Sequence, residues 1–555
     1  MTSILALVSL NQVVQAQSIG FYKKTLNISG LANPTSLQFG KDGRLYVSEQ
    51  NGLIKIFDIE RTDEGGYSVT DEEIISLVYE IPNYDDDGIL NESIIGRQVT
   101  GILLLGTPDS TVIFVTSSDP RIGGGGKADT NLDTNSGIIS KIYRTPEGNW
   151  EKIDLVRGLP RSEENHSQNG LDYLMAENQL LVTSGGNTNQ GAPSNNFTFI
   201  AEYAYSAALL SVDLSRLELM PVKIDPLGGQ YVYDLPTLDD ESRPNETSEI
   251  GYQDTNDPFG GNNGKNQAML TYDSPVQIYS SGWRNAYDVL VTDNGLIYTV
   301  DNGPNKGWGG PPINDCSNDI NENSSESFPD NLHYVAYKGY YGGHPNPTRS
   351  NRLNLFNETN PQSPVEEGLE DPSCEYLIPG QADNALATYP ESTNGLAQYV
   401  ASNFDGGLIG DLITVAFDGT LLRFSTSQNE DEFTVLASGI GTIPLDVTAQ
   451  GDFDVFPGTI WVCNYAGDNI TVLDPVDFSV GVCDLSNSDQ DADGDGYTNL
   501  DEEENDTDPC NPAHLPSDFD GDLVSDLLDT DDDNDQIPDI DDYFPLDATN
   551  GSATP

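Results

Sequence analysis

The chain has 555 residues and carries 90 Asp and Glu against 24 Lys and Arg, a formal net charge of −66. That balance excludes nucleic acid as a partner, because phosphate binding needs a cationic surface. Hydrophobic residues make up 36%, and 54 Gly and 33 Pro imply many turns and few long helices, so the composition predicts an all-β fold with a sizeable core.

Taken in chain order, the first feature is a short apolar run, Ser3 to Leu10, followed by the small-residue stretch Val14-Gln15-Ala16-Gln17. It reads as a signal peptide over residues 1–16, so the mature chain is expected to be secreted, extracellular or at the cell surface; a frayed N-terminal strand is the alternative. No later apolar run nears the roughly 18 residues that span a bilayer, so no transmembrane segment is expected.

A turn followed by alternating apolar residues then recurs at Gly43–Val47, Thr111–Val115, Gln179–Val182, Gly295–Val300, Asp411–Val415 and Gly458–Val462. Several are followed by a second turn and run, as at Gly52–Phe57 and Gly419–Phe424, the pattern of a β-hairpin. Six such units, about 40 to 115 residues apart, predict a six-bladed β-propeller over residues 18–475 rather than a sandwich. Long Asn-, Gly- and Pro-rich insertions at 159–200 and 301–380 are expected to carry the chemistry. Only Asp71–Tyr79 and Glu202–Leu210 show a short helical period, and both read equally well as strands.

Three short stretches supply candidate chemistry. His166, in the polar loop Arg161–Gly170, is a candidate general base, or a histidine simply hydrogen-bonded where a strand begins. Arg284 and Asn285 offer fixed donors to a carbonyl or carboxylate. In Asp301-Asn302-Gly303-Pro304 a tight turn can aim successive carbonyl oxygens at a hard cation such as Ca²⁺. Of five cysteines, Cys316 and Cys374 are expected to bridge within the second insertion, and Cys483 could pair with Cys510. Cys463, inside the apolar run Thr459–Cys463, is expected to be a buried thiol.

In this order the pieces resemble the soluble quinoprotein glucose/sorbosone dehydrogenase family, including aldose sugar dehydrogenases. The likeness spans residues 28 to 474 and rests on Gly30–Leu37, Asp42–Glu49, Asn165-His166, Leu181–Gly186, Gly282–Asn285, Asp301–Pro304 and Tyr340–Pro345, the last with His344 where the family usually has Trp. It implies a propeller holding pyrroloquinoline quinone (PQQ) over its channel, and a small-molecule sugar as substrate. His166 would take the proton of a sugar C1 hydroxyl, Arg284 would polarise the quinone carbonyl, Asn285 and Gln98 would contact the cofactor, and the Gly303 and Pro304 carbonyls would hold Ca²⁺. Where the family places a Lys and a pair of Arg residues against the cofactor, this chain reads Ala416–Gly419 and Ile443–Asp446; Arg97, Lys306, Lys338 and Arg349 are the candidates to replace them. The missing cations keep open a second reading, a non-enzymatic propeller that binds carbohydrate or a protein at the cell surface. A sugar hydrolase is disfavoured, since no spacing selects a pair of acids.

Residues 484–555 hold 24 acidic side chains and no Lys or Arg, a charge that needs cations to neutralise it. Asp491, Asp493, Asp495, Asn499 and Glu502 stand at positions 1, 3, 5, 9 and 12 of an EF-hand-type loop with Gly496 at position 6. Asp518, Asp520, Asp522 and Asp526 repeat the spacing with Leu523 in place of the glycine, and Asp531, Asp533, Asp535 and Asp539 repeat it again. The stretch resembles thrombospondin type 3 repeats, including Thr507-Asp508-Pro509, and lacks the amphipathic helices that flank paired EF-hands. This implies a Ca²⁺-binding stalk that can associate with a cell surface or extracellular matrix.

Overall fold

The computed structural model describes residues 19–476 apart from 63–64, 87, 128, 240–265, 314–317, 351–384, 391 and 427–432. Beyond these it describes 488, 490, 496–505, 507, 509, 515–520, 523–534, 537–539 and 545–546. The expected signal peptide, Cys316, Cys374, Cys483, Cys510, Asp491, Asp493, Asp495, Asp522 and Asp535 lie outside the described residues.

Six four-stranded antiparallel units form a β-propeller. From the channel outward, blade 1 consists of Pro34–Phe39, Leu45–Glu49, Ile54–Arg61 and Tyr67–Ile75. Blade 2 consists of Gln98–Thr107, Ser110–Ser118, Gly137–Arg144 and Trp150–Leu159, widened by Gln230–Asp234 pairing parallel to its outer strand. Blade 3 is Gln168–Leu174, Gln179–Ser184, Ala208–Asp213 and Val276–Ser281. Blade 4 is Ala286–Val291, Ile297–Asp301, Asp330–Tyr334 and Ala385–Tyr389. Blade 5 is Thr393–Gln398, Leu412–Ala416, Thr420–Phe424 and Thr434–Ser438. Blade 6 is Pro444–Ala449, Ile460–Asn464 and Asn469–Pro475, and its outer strand comes from the other end of the propeller, Phe21–Asn27, paired over seven residues with Asn469–Pro475.

All six runs singled out in the sequence are the second strands of their blades. Such strands lie between two neighbouring blades, so both faces are covered: Leu45–Glu49 and Leu412–Ala416 are buried at every position. One apolar cluster fills each junction, for instance Leu103, Phe114 and Ile139 of blade 2 against Leu171, Leu180 and Leu210 of blade 3. Cys463 is a buried free thiol in the junction between blades 6 and 1. The stretch 71–79 supplies strand up to Ile75, and the strand of blade 3 begins only at Ala208, after a loop that includes Glu202.

The inner strands also share polar ties. Asp172 accepts the Val291 amide of blade 4 at 2.6 Å, Asp288 the Leu396 amide of blade 5 at 2.9 Å, and Asp446 the Leu37 amide of blade 1 at 3.0 Å. Each inner strand is bulged where it starts, between Pro34/Ser36, Gln98/Gly101, Gln168/Leu171, Ala286/Asp288, Thr393/Leu396 and Pro444/Asp446. A bulge leaves a residue unpaired and re-aims its side chain. Six bulges at one end of the channel therefore make a ring.

In the acidic segment a short helix, Asn499–Glu504, spans the last positions of the first Asp-rich loop, a turn the sequence reading did not single out. Thr498 caps it by accepting the Asp501 amide, and Asp501 and Glu502 in the first turn suit the positive end of the helix.

Candidate active site

The ring of bulged residues, Thr35, Thr100, Asn169, Tyr287, Asn394 and Leu445, lines a cavity of about 380 Å³ at one end of the channel. Loops that precede the inner strands or follow the second strands add His166, Arg284, Asn285, Asn302, Gly303 and Trp308 to its wall, and Asp330 joins them from the start of a third strand. Residues 118 positions apart, His166 and Arg284, thus face one cavity.

His166 ends a tight loop that precedes the inner strand of blade 3. The Ser162 amide donates to the His166 carbonyl at 3.0 Å, and the buried Arg161 guanidinium donates to the Gln98 side chain and the Arg121 carbonyl at 2.7 Å each. The imidazole is buried, Nδ1 lies 2.8 Å from the Gly186 carbonyl, and Nε2 lies 3.8 Å from Glu164 Oε2. A carbonyl can only accept, so Nδ1 carries the proton and Nε2 keeps its lone pair. Burial and the Arg284 charge hold the imidazole pKa well below 6.5, so it is neutral across the physiological range.

Arg284 is placed by Asp301, whose two oxygens accept the Arg284 amide at 3.0 Å and the Asn285 amide at 2.8 Å. Burial pushes the Asp301 carboxyl up to about 7. The Arg284 side chain is 3% exposed and lies in no salt bridge among the described residues; Nε donates to Asn189 at 3.2 Å and Nη1 to the Asn302 carbonyl at 3.5 Å. Burial lowers its pKa, against the opposing charges of Glu164 and Asp301. It differs from the buried Arg157, which binds Asp154 and Asp225. With neutral groups as its direct acceptors and carboxylates only at longer range, the buried guanidinium favours an anion in the cavity.

Asn285 bonds Asn302 and Asn169, and Gln98 donates to the Asn165 carbonyl while accepting from Arg161, so both reach the cavity wall with their amides engaged. Gly303 lines the cavity, its amide on Asp330 at 2.8 Å; the Pro304 carbonyl accepts the Phe328 amide at 2.9 Å. Burial pushes the Asp330 carboxyl up to about 6. Among the described residues no group of three or more His, Cys, Asp or Glu gathers as a metal site.

The candidate replacements for the missing cations lie elsewhere. Arg97 is buried against Asn83 and the Ser136 carbonyl, Arg349 against the Ser206 and Ala207 carbonyls, and Lys306 and Lys338 are exposed. Arg284 is the one Lys or Arg on the cavity wall among the described residues, and blades 5 and 6 contribute Phe417, Ile443 and Leu445. The sequence reading missed Glu164, Asn169, Asn302, Asn394 and Trp308. Bulged residues carry no periodic signal; Glu164, two residues before His166, was within reach of it.

In the acidic segment, Asn499 and Glu502 sit on the short helix, buried. Asp518 accepts Tyr497 Oη at 2.7 Å and the Leu523 amide at 3.0 Å, Asp520 meets Asn534, Asp526 accepts the Phe519 amide at 2.7 Å, and Asp539 the Asp532 amide at 3.0 Å. Asp533 is buried, and Asp531 is partly buried, its amide on Asp529.

A scan of the sequence against protein-family models finds no match, and neither does a search of curated proteins. Among solved structures the fold is similar to the PQQ-bound aldose sugar dehydrogenase of Streptomyces coelicolor, with TM-score 0.43 and 13% identity over 83% of this chain and 99% of that one. It is also similar to the holo PQQ domain of pyranose dehydrogenase from Coprinopsis cinerea, with TM-score 0.42 and 11% identity over 82% and 97%. A putative oxidoreductase (glucose dehydrogenase) of Thermus thermophilus gives TM-score 0.40 and 16% identity over 82% and 100%. At these levels the likeness carries no argument about chemistry, and the fold rests on the sheet topology itself. Among the described residues no helix is long and apolar enough to cross a membrane.

Proposed function

We propose that the chain is an exported sugar oxidoreductase of the PQQ-dependent type that acts on the C1 hydroxyl of an aldose, with residues 484–555 as a Ca²⁺-binding stalk. The observation that carries this reading is Arg284, a buried guanidinium without a carboxylate partner among the described residues, on the same cavity wall as a neutral imidazole whose Nε2 lone pair is not claimed by a donor. A base beside an anion-seeking cation suits proton abstraction coupled to charge arriving on a polarised oxygen.

The donor set fits the quinone if a divalent cation joins it: against three carboxylates the cavity wall offers the one guanidinium of Arg284, and a Ca²⁺ near Gly303 would supply the other two positive charges. Arg284 and Asn285 would hold the group, and when bound it supplies the hydride acceptor. The chain's own work is then positional. His166 Nε2 takes the hydroxyl proton, the Gly186 carbonyl steadies the imidazolium that forms, and Glu164, 3.8 Å away, lowers its cost. Phe197 meets the imidazole edge-on at 5.2 Å and, with Trp308, limits water around the base.

Reconstitution with PQQ and Ca²⁺, followed by quinone binding and dye reduction with a panel of aldoses, tests the reading. His166→Ala is expected to cut turnover at least about 10²-fold with quinone affinity nearly unchanged. A second reading, a carbohydrate-binding module, is favoured by the apolar side that Phe417, Ile443 and Leu445 give the cavity. Calorimetric sugar binding with no quinone binding at all would decide for it.

A further inference from the structure

Behind the two residues of the cavity wall runs the segment Gly185–Asn189, and it touches both. The Gly186 carbonyl holds His166 Nδ1 at 2.8 Å, while the Gly186 amide donates to the Arg284 carbonyl at 2.7 Å. Asn189 Oδ1 accepts Arg284 Nε at 3.2 Å and the Asn305 amide at 2.9 Å, and its Nδ2 donates to the Asn305 and Gly309 carbonyls. One backbone segment therefore sets the base, the guanidinium and the loop that carries Gly303.

That segment is itself fastened by one buried carboxylate. Glu202, with no exposed surface, accepts the Asn187 amide at 2.9 Å and Ser206 Oγ at 2.5 Å on Oε2. On Oε1 it accepts the Thr188 amide at 3.0 Å, Thr188 Oγ1 at 2.7 Å and His344 Nε2 at 2.7 Å. Burial alone would raise its pKa, yet His344, Ser206 and the Asn187 amide together bring it below the usual carboxylate range. His344 is buried with its own pKa lowered, and its Nδ1 has no hydrogen-bond partner among the described residues, so the neutral ring donates through Nε2. Gly186 allows the approach: a Cβ there would stand 2.7 Å from Glu202 Oε1.

We infer that Glu202, held by His344, is a positioning residue that fixes the tautomer of His166 by pinning the turn that presents the Gly186 carbonyl. A carboxylate with five donors is a rigid anchor, because each lost bond leaves a buried donor unsatisfied. Without it the turn is free to rotate, and the imidazole loses the acceptor that keeps its proton on Nδ1, away from the cavity. The inference deepens the dehydrogenase reading, which gives His166 its use, but its test needs no cofactor.

Only four histidines occur in the chain, so ¹⁵N-imidazole spectra of the apo full-length protein resolve each one, with His166→Gln assigning the signal. The native protein is expected to show His166 only as the Nδ1–H tautomer. Glu202→Gln, which keeps the volume but turns one oxygen into a donor, is expected to abolish that exclusivity and show both tautomers. Where reconstituted enzyme turns over, kcat should fall with KM little changed. His344→Gln is the second variant, expected to act in the same direction. An unchanged His166 signature in folded Glu202→Gln, or in His344→Gln should the first not fold, overturns the inference. Native spectra as expected alongside an absence of quinone binding would sink the dehydrogenase reading and leave the anchor standing.

Discussion

At the scale of single residues the decisive pair is His166 and Arg284, because the charge of the second sets the protonation of the first. The guanidinium disfavours an imidazolium nearby and is, after burial, the largest of the causes that hold the His166 pKa well below 6.5. Arg284→Gln removes that repulsion, so the His166 titration should move to higher pH. An NMR titration reads the shift directly, and a pKa that stays put or falls would refute the assignment of Arg284 as its neighbour in charge. His166, Arg284 and Asn285 were legible in the sequence because each sits in a short polar motif beside a strand. Asn169 and Asn394 were not, since the bulges that turn them into the cavity break the two-residue period without leaving a mark in composition.

At the scale of strands and blades, the six second strands announced themselves through apolar alternation, because burial on both sides leaves little choice of residue. The outer strands did not: Tyr67–Ile75 exposes four of its nine residues and buries one, and its second half reads as easily as a helix. The polar ties between inner strands were equally silent. They nonetheless have a thermodynamic signature. Burial raises Asp172 and Asp446 to about 6 and lifts Asp288 well above the usual carboxylate range. A carboxyl whose native pKa exceeds its unfolded value keeps a proton that the unfolded chain has released, so stability falls as pH rises from about 4 to about 6 and stays lower above. Asp172→Asn keeps an oxygen for the Val291 amide and removes the titration. Relative to that variant, the native protein should lose about 2 kcal/mol of unfolding free energy between pH 4.5 and 7, most of what a rise of about two pKa units implies over the full pH range. Parallel urea titrations at pH 4.5 and 7 measure it, and identical pH dependence in the two proteins would show that Asp172 does not titrate as argued.

At the scale of the whole molecule the charge is divided between a propeller with 24 basic residues and an acidic segment with none. If residues 484–555 form Ca²⁺ loops, chelation should expand the segment and Ca²⁺ should compact it, as seen by small-angle scattering and hydrogen exchange. Equal dimensions in excess Ca²⁺ and in chelator would remove the repeat reading.

The pairing of Phe21 with Pro475 and of Asn27 with Asn469 makes the propeller a ring sewn shut by its own first strand. In such a ring the order in which the chain visits the blades is a convention of synthesis rather than a need of the fold. Residues 19–476, joined end to end by a short glycine linker and reopened near the junction of blades 3 and 4, should fold to the same circle with His166 and Arg284 still facing one cavity. New termini between Ser281 and Gly282 would come at the cost of the turn that carries Arg284, so the cut belongs in the 291–297 hairpin instead. A permutant opened there that melts cooperatively, near the temperature of the parent, would show that closure depends on which strands meet and not on where the chain begins.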